Sequence, residues 1–279
     1  MTNFLHDFII EKHVKDALLE DIGFGDITTD FLAKDTDVLS GSLNTREDGI
    51  LCGCEVFKKV FNVLSDKVEI KFHFKDGDKI KKGDKIASIS GPARFVLTGE
   101  RTALNYIQRL SGISTETKKY QEAIGDYPAK IVDTRKTTPN FRLFEKYAVK
   151  TGGGSLHRFN LSDCAMIKDN HIRLAGSITN AVTKLRKNIS HAHKIEVECD
   201  TLEQVLEALN NQADIIMLDN MSLEQMKIAC TLINKQAIIE ASGNVNLETV
   251  KEIAAVGVDI ISSSAKVAKA PTLDLALDI

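Results

Sequence analysis

The stretch Asp133-Thr-Arg-Lys-Thr-Thr-Pro139 places a carboxylate, two cations and several hydroxyls within seven positions. It follows the apolar run Ala129-Lys-Ile-Val132, so it reads as the C-terminal end of a buried strand that Pro139 stops. Adjacent Arg135 and Lys136 there suit the gripping of an anion better than packing, because a guanidinium binds oxyanions in a bidentate fork and an ammonium acts as a point charge. Further cations sit at comparable places. Arg101 lies in Gly99-Glu-Arg-Thr-Ala-Leu-Asn105, and Lys168 ends Ala165-Met-Ile-Lys168. Gly152-Gly-Gly-Ser-Leu-His157-Arg158 is a glycine turn that delivers an imidazole and a guanidinium, and such turns let backbone N–H groups approach an anion closely.

Acids complement these cations. Glu198, Asp219 and Glu240 terminate three successive apolar runs. Carboxylates so placed can hold sugar hydroxyls, coordinate Mg²⁺ directly or through water, or steady a developing positive charge. Ser242-Gly243 and Ser262-Ser263-Ser264 follow the last two runs, where barrels hold phosphate on backbone N–H groups. The set fits a polyanionic, sugar-containing substrate. Plainer readings stand beside it: Arg101 as a solvated helix residue, Lys168-Asp169 as a surface ion pair, and Glu240 as the partner of a rim lysine. His171 serves equally well as a general base or a loop hydrogen-bonder, and His157 beside Arg158 reads as an anion contact. There is no Cys/His pair, G-x-S-x-G elbow or G-x-G-x-x-G turn, so neither a covalent nucleophile nor a dinucleotide site is indicated. Cys52 and Cys54 lack the second pair that a zinc site needs.

The elements that must carry these residues show a rhythm. Polar ends at 198, 219, 240 and 262 close β-branched runs at near-constant spacing. The gaps hold amphipathic stripes, Leu202-Val205-Leu206-Leu209 and Leu223-Met226-Cys230-Ile233. Asp200-x-x-Glu203 and Ser222-x-x-Gln225 read as capping boxes that start these helices. Strand–helix units with strands apolar on both faces imply a parallel sheet covered by helices, and so many polar strand ends favour a barrel over an open sheet. The first hundred residues differ, with helices near 8–20 and 54–65 and strands near 39–46 and 68–74. Lys75-Asp-Gly-Asp-Lys-Ile-Lys-Lys-Gly-Asp-Lys-Ile86 holds two glycine turns between short strands, a pattern also found in lipoyl or biotin carriers. Leu97, Leu104, Ile107 and Leu110 predict a long helix joining the two regions.

Composition limits the partners. A net charge of −3 over 279 residues argues against general nucleic-acid affinity. No apolar run of about 18 residues is present to span a bilayer, and the amino-terminal stretch lacks a basic segment followed by an apolar core. Five cysteines without disulfide spacing suggest a reducing compartment, so the expected location is the cytoplasm.

Together these motifs resemble the quinolinate phosphoribosyltransferase family. The matching stretches are Glu20-Asp-Ile-Gly-Phe-Gly-Asp-Ile-Thr28, Gly99–Asn105, Ser111-Gly-Ile113, Asp133–Pro139, Glu145-Lys-Tyr-Ala-Val149, Ile167-Lys-Asp-Asn-His171, Leu218-Asp-Asn220 and Glu240-Ala-Ser-Gly243. The resemblance implies an incomplete, TIM-like parallel α/β barrel over residues 111–267 and an amino-terminal α+β open sandwich over 1–110, to which 268–279 returns. It implies a homodimer in which Arg101 completes the neighbour's site. It also implies transfer of phosphoribosyl from phosphoribosyl pyrophosphate to quinolinate, giving nicotinate mononucleotide, pyrophosphate and CO₂. On the matched motifs, Arg101, Arg135, Lys136, His157, Arg158 and Lys168 hold the dicarboxylate and phosphates. Glu198 and Asp219 hold ribose hydroxyls and Mg²⁺, and Ser242, Gly243, Ser263 and Ser264 lie at the phosphate turns. Lys136, Lys168, Glu198 and Asp219 form the catalytic set. The chain departs from the family pattern at Leu156 (usually asparagine), at Asn140, Asn244 and Ser264 (usually glycine), and at Val267-Ala268 (usually Thr-His). These departures leave open a paralogue that takes another pyridine carboxylate or binds without turnover.

Overall fold

A computed structural model describes residues 4–279. The amino-terminal stretch read above for a leader begins with residues 1–3, which lie outside the described residues. The chain divides into two compact units. One comprises residues up to Glu116, Leu143–Gly153 and Ala270–Ile279, and the other Thr117–Arg142 and Gly154–Lys269.

The first unit is built on an antiparallel sheet of β1 (Val38–Thr45), β3 (Glu69–Phe72), β5 (Lys85–Pro92) and β12 (Leu275–Asp278), in the order β12-β1-β5-β3. Helices α1 (Asp7–Ile22), α2 (Thr29–Leu32) and α3 (Cys54–Leu64) belong to it. On α3, Val56, Phe57, Val60 and Phe61 share one buried face, and the Phe57 ring lies tilted 5.2 Å from that of Phe61 and edge-on 5.8 Å from that of Phe72. Fully buried side chains of this size each contribute about 1.5–3 kcal/mol. The two glycine turns form, with the Asp78 and Asp84 carboxylates accepting the N–H groups of Lys75 and Lys81 at 2.9 and 2.8 Å. The strands around them pair with different partners. Strand β4 (Lys79–Ile80) joins β2 (Gly49–Ile50), whereas β5 joins β1 and β3. The segment is therefore not one hairpin presenting a lysine at its tip, which removes the carrier alternative. The long helix is α4 (Ala93–Ile124), of 32 residues.

In the second unit, β6 (Lys130–Val132), β7 (Ala165–Ile167), β8 (Ile195–Cys199), β9 (Ile215–Asp219), β10 (Ile238–Ser242) and β11 (Ile260–Ser262) form a six-stranded sheet in the order β6-β11-β10-β9-β8-β7. Every pairing in it is parallel. Strands consecutive in the chain are neighbours from β7 to β11, and β6 closes on β11. The seam between β6 and β7 stays unpaired, with one bridge from Val132 to Ser155 beside it. This is the incomplete barrel. Helix α5 (Arg142–Thr151) belongs from Leu143 onward to the first unit, so the barrel is not the continuous stretch 111–267. The remaining helices are α6 (Asp169–Ala175), α7 (Ile178–Asn188), α8 (Leu202–Asn210), α9 (Leu223–Ile233), α10 (Val250–Ala255) and α11 (Ala265–Ala268). The Ser222–Gln225 capping box forms as expected, but the preceding one is Thr201-x-x-Gln204, not Asp200-x-x-Glu203. Strand β8 runs on through Cys199, which delays the helix start by one residue, and Gln204 then accepts the N–H groups of Asp200 and Thr201.

Strand alternation decides what faces where. Ile131, Ile167, Ile195, Val197, Cys199, Ile216, Leu218, Ile239, Ala241 and Ile261 pack in one core cluster with helical Val205, Ala208, Met226, Ala229 and Val250. Alternate positions face the barrel interior and are polar in several strands, so the expectation of strands apolar on both faces fails for β8 and β10. Among the described residues, no helix is long and apolar enough to cross a membrane.

Candidate active site

A cavity of about 410 Å³ is lined by interior-facing residues at the C-terminal ends of all six strands. Met166 and Lys168 come from β7 and its end, Glu198 from β8, and Met217 and Asp219 from β9. Glu240 and Ser242 come from β10, Ser262 from β11, and Thr134, Arg135 and Lys136 from the loop after β6. Barrel register makes this possible. Glu198 lies beside Met217, Met217 beside Glu240, and Asp219 beside Ser242, so one period-two face carries the whole set.

The cationic end is Arg135, Lys136, Arg158 and Lys168. Lys136 is exposed and the other three are partly buried. Arg158 donates from Nη1 to the Cys164 carbonyl at 2.8 Å and lies 3.5 Å from Met166 Sδ through Nη2. Burial, followed by the guanidiniums of Arg158 and Arg142, weakens Arg135's hold on its proton, and its buried Nε has no hydrogen-bond partner. Like charges gathered without a countercharge make a strong anion site. Lys168 is the exception, since its Nζ donates to Glu198. An incoming anion must share that lysine with the carboxylate.

His157 also lines the cavity. Its Nε2 lies 3.4 Å from a Glu196 oxygen and 3.5 Å from a Glu240 oxygen, both carboxylates being fully buried. Its Nδ1 accepts the Arg158 N–H at 2.7 Å, and its own N–H donates to buried Asp133 at 2.8 Å. Glu240 therefore pairs with an imidazole rather than a rim lysine, and His157 contacts the protein's own acids as well as facing the cavity. Burial disfavours charge on this imidazole, whereas the two carboxylates beside Nε2 favour it and raise its pKa; with Nδ1 accepting the Arg158 N–H, the ring carries its proton on Nε2, between those acids. Burial, and then the charge of Glu240, raise the Glu196 pKa against the pull of His157. One ligand atom from each of the three residues lies within 4.8 Å of the others, so a cation could be held there. Metal-bound imidazoles donate their second nitrogen outward, whereas Nδ1 here accepts. The arrangement suits a shared proton better. Glu196 escaped the sequence reading, although Ile195-Glu-Val-Glu-Cys199 signals two acids on one strand face.

His171 lies in the first turn of α6 and not in a loop, its Nδ1 accepting the Lys168 N–H at 3.0 Å as part of that helix's cap. Leu156 lines a second cavity of about 480 Å³, with Phe159, Glu196, Ile215 and Ile260 among its neighbours, and does not line the first. That cavity shares His157, Arg158 and Glu240 with the first, so the expected loss of a polar contact falls beside residues of the candidate site but not in its lining. Asn140 and Asn244 take φ of 61° and 52°, the left-handed region that asparagine tolerates best after glycine. Gly243 tolerates no such exchange. A Cβ on it would stand 2.1 Å from Asn220 Oδ1, and Asn220 in turn donates to Asp219 at 2.9 Å. Gly243→Ala, at φ 88°, is expected to destabilise the fold by at least roughly 1–2 kcal/mol and to lower turnover through Asp219; thermal melts and initial rates measure the two effects.

Ser263 and Ser264 lie past β11, outside the cavity lining. The Ser263 hydroxyl accepts the Ala265 N–H at 3.3 Å, and its N–H donates to Val132. Ser264 has φ −82°, a conformation open to any residue, so its side chain causes no backbone strain. Ser264→Gly is therefore expected to leave turnover unchanged, with a stability change below about 1 kcal/mol. Arg101 is exposed on α4 within the first unit, whereas every residue lining the cavity belongs to the second.

Residues 26–111 match the family model for the quinolinate phosphoribosyl transferase N-terminal domain, and residues 113–278 that for its C-terminal domain. A probable carboxylating nicotinate-nucleotide pyrophosphorylase of Synechocystis sp. is 44% identical over 274 residues, covering 97% of this chain and 92% of that protein. The corresponding Bacillus subtilis protein is 41% identical over 270 residues, covering 97% and 93%. The crystal structure of NadC from Streptococcus pyogenes superposes with a TM-score of 0.96 at 43% identity, covering 100% of this chain and 98% of that one. With both halves matched and a cationic, acid-rimmed cavity on the barrel, this chain belongs to the quinolinate phosphoribosyltransferase family.

Proposed function

We propose that the protein transfers phosphoribosyl from phosphoribosyl pyrophosphate to the ring nitrogen of quinolinate with decarboxylation, yielding nicotinate mononucleotide, pyrophosphate and CO₂ for NAD synthesis. The observation that carries this is the division of one cavity into a cationic end, Arg135, Lys136 and Arg158, and an acidic side, Glu198 and Asp219. The cations fit a dicarboxylate. The acids lie where a ribose becomes oxocarbenium-like as pyrophosphate departs, and carboxylates fixed there stabilise that charge without reorganising. Lys168, released from Glu198, supplies a further cation to substrate oxygens. After the bond to nitrogen forms, the positive ring accepts the electron pair left by the departing CO₂, so no covalent enzyme intermediate is required. Positioning contributes much of the rate.

Glu198 and Asp219 fit Mg²⁺. They present oxygen ligands from neighbouring strands into one cavity, and Mg²⁺ characteristically takes one or two carboxylates and completes its shell with water and phosphate oxygens. When bound, the ion would neutralise charge on the pyrophosphate leaving group. Arg101 acts in this reading from a second copy of the chain in a homodimer. Its exposure and the exposed apolar side chains Phe24, Ile27, Phe31 and Leu32 in the same unit support that assembly. The reaction belongs in the cytoplasm.

The test is direct. Purified protein with quinolinate, phosphoribosyl pyrophosphate and Mg²⁺ should release pyrophosphate and CO₂ only when both substrates are present. Folded protein that forms no nicotinate mononucleotide overturns the proposal, and turnover with a different pyridine carboxylate reassigns the acceptor.

A further inference from the structure

We infer that Arg142 is a positioning residue that clamps the two cationic loops of the site in the spacing that receives the pyridine dicarboxylate. The inference rests on the reaction proposed above and adds a residue to it. Arg142 does not line the cavity. Its guanidinium donates from Nε to Thr137 Oγ1 at 2.9 Å, from Nη1 to the Phe159 carbonyl at 2.9 Å, and from Nη2 to the Arg135 carbonyl at 3.5 Å. The Thr137 hydroxyl reaches the same Arg135 carbonyl at 3.4 Å. One planar group thus ties the loop bearing Arg135 and Lys136 to the residue that follows Arg158.

A clamp is needed because of the open seam. The first loop leaves β6 and the second precedes β7, and these are the two unpaired edges of the sheet. Across that gap the backbone supplies the Val132–Ser155 bridge, and Asp133 accepts the His157 N–H. Neither contact reaches Arg135 or the Arg158 side chain. Charge works against closure, since the guanidiniums of Arg158 and Arg142 both act on Arg135, and among the described residues no carboxylate pairs with any of the three. Like charges on two loops tend to spread them when no anion lies between. Arg142 opposes this through its three acceptors rather than through its charge. Lysine cannot replace it, because an ammonium lacks the rigid planar fork that spans separate carbonyls.

The experiment uses full-length protein and the variants Arg142→Met, Arg142→Lys and Thr137→Val, with quinolinate and phosphoribosyl pyrophosphate varied separately. Arg142→Met should raise the quinolinate KM about tenfold and leave the phosphoribosyl pyrophosphate KM within about twofold, as expected for loss of one or two ordering hydrogen bonds. Arg142→Lys should behave nearly as poorly despite keeping its charge, and Thr137→Val should move the same KM by a smaller factor. Quinolinate binding by calorimetry should weaken in parallel. An unchanged quinolinate KM in the folded variants overturns the inference. So does a uniform fall in kcat that tracks melting temperature with both KM values fixed, and if Arg142→Met does not fold, the other two variants decide. Wild-type protein without turnover would instead count against the proposed reaction.

Discussion

Arg135→Ala is expected to reduce kcat/KM by about 10²–10³-fold, since truncating one partner of a desolvated charge pair costs about 2–5 kcal/mol. The melting temperature should stay level or rise slightly. Both expectations come from the same observation. In the free protein Arg135 has a buried Nε without a partner and stands near two other guanidiniums, so its side chain adds repulsion rather than cohesion. With a dicarboxylate in place, that same unpaired group becomes the donor to a fully desolvated anion. Steady-state rates and calorimetric melting measure the two quantities. A fall of many degrees in melting temperature would mean that Arg135 holds the loop together, and the site assignment would have to be redrawn.

Asp219→Asn should lower kcat by about 10²–10³-fold, the range seen when one preorganised electrostatic contact to a transition state is removed. Quinolinate affinity should change little, because the cations proposed to grip it come from other loops. The substitution is nearly isosteric. Asn220 donates to Asp219 at 2.9 Å, and an amide oxygen accepts that bond as well, so the loop should keep its shape. Single-turnover rates separate the effect on bond making from product release. Equal weakening of quinolinate binding and turnover would show that Asp219 contacts the acceptor instead of the ribose. Glu198→Gln offers a contrast, since it also frees Lys168 from its ion pair and should tighten anion binding while slowing the reaction.

Much of the site was legible in residue types and their spacing. Cations after β6 and at the end of β7, and acids at the ends of β8 and β9, sit where a strand stops and a loop begins, and apolar runs ending in charge mark such places without any knowledge of packing. The glycine at 243 was similarly visible as part of a turn. The depth of the cavity was less accessible. Glu196 looks like an ordinary strand acid, and Glu240 like a free strand-end carboxylate, until alternation turns both inward and β9 sets the spacing between them. His157 then becomes their partner, and Leu156, its chain neighbour, lines a different cavity.

By itself the sequence determined the family, the parallel strand–helix rhythm and most of the charged groups, because period-two and helical patterns are local and their ends carry function. Tertiary structure alone decided which of those groups meet. The Lys168–Glu198 pair and the imidazole held between two buried carboxylates join residues far apart in the chain, and the Arg142 fork crosses the open seam. Such contacts depend on strand register and on which barrel edge stays unpaired, and no local pattern encodes either.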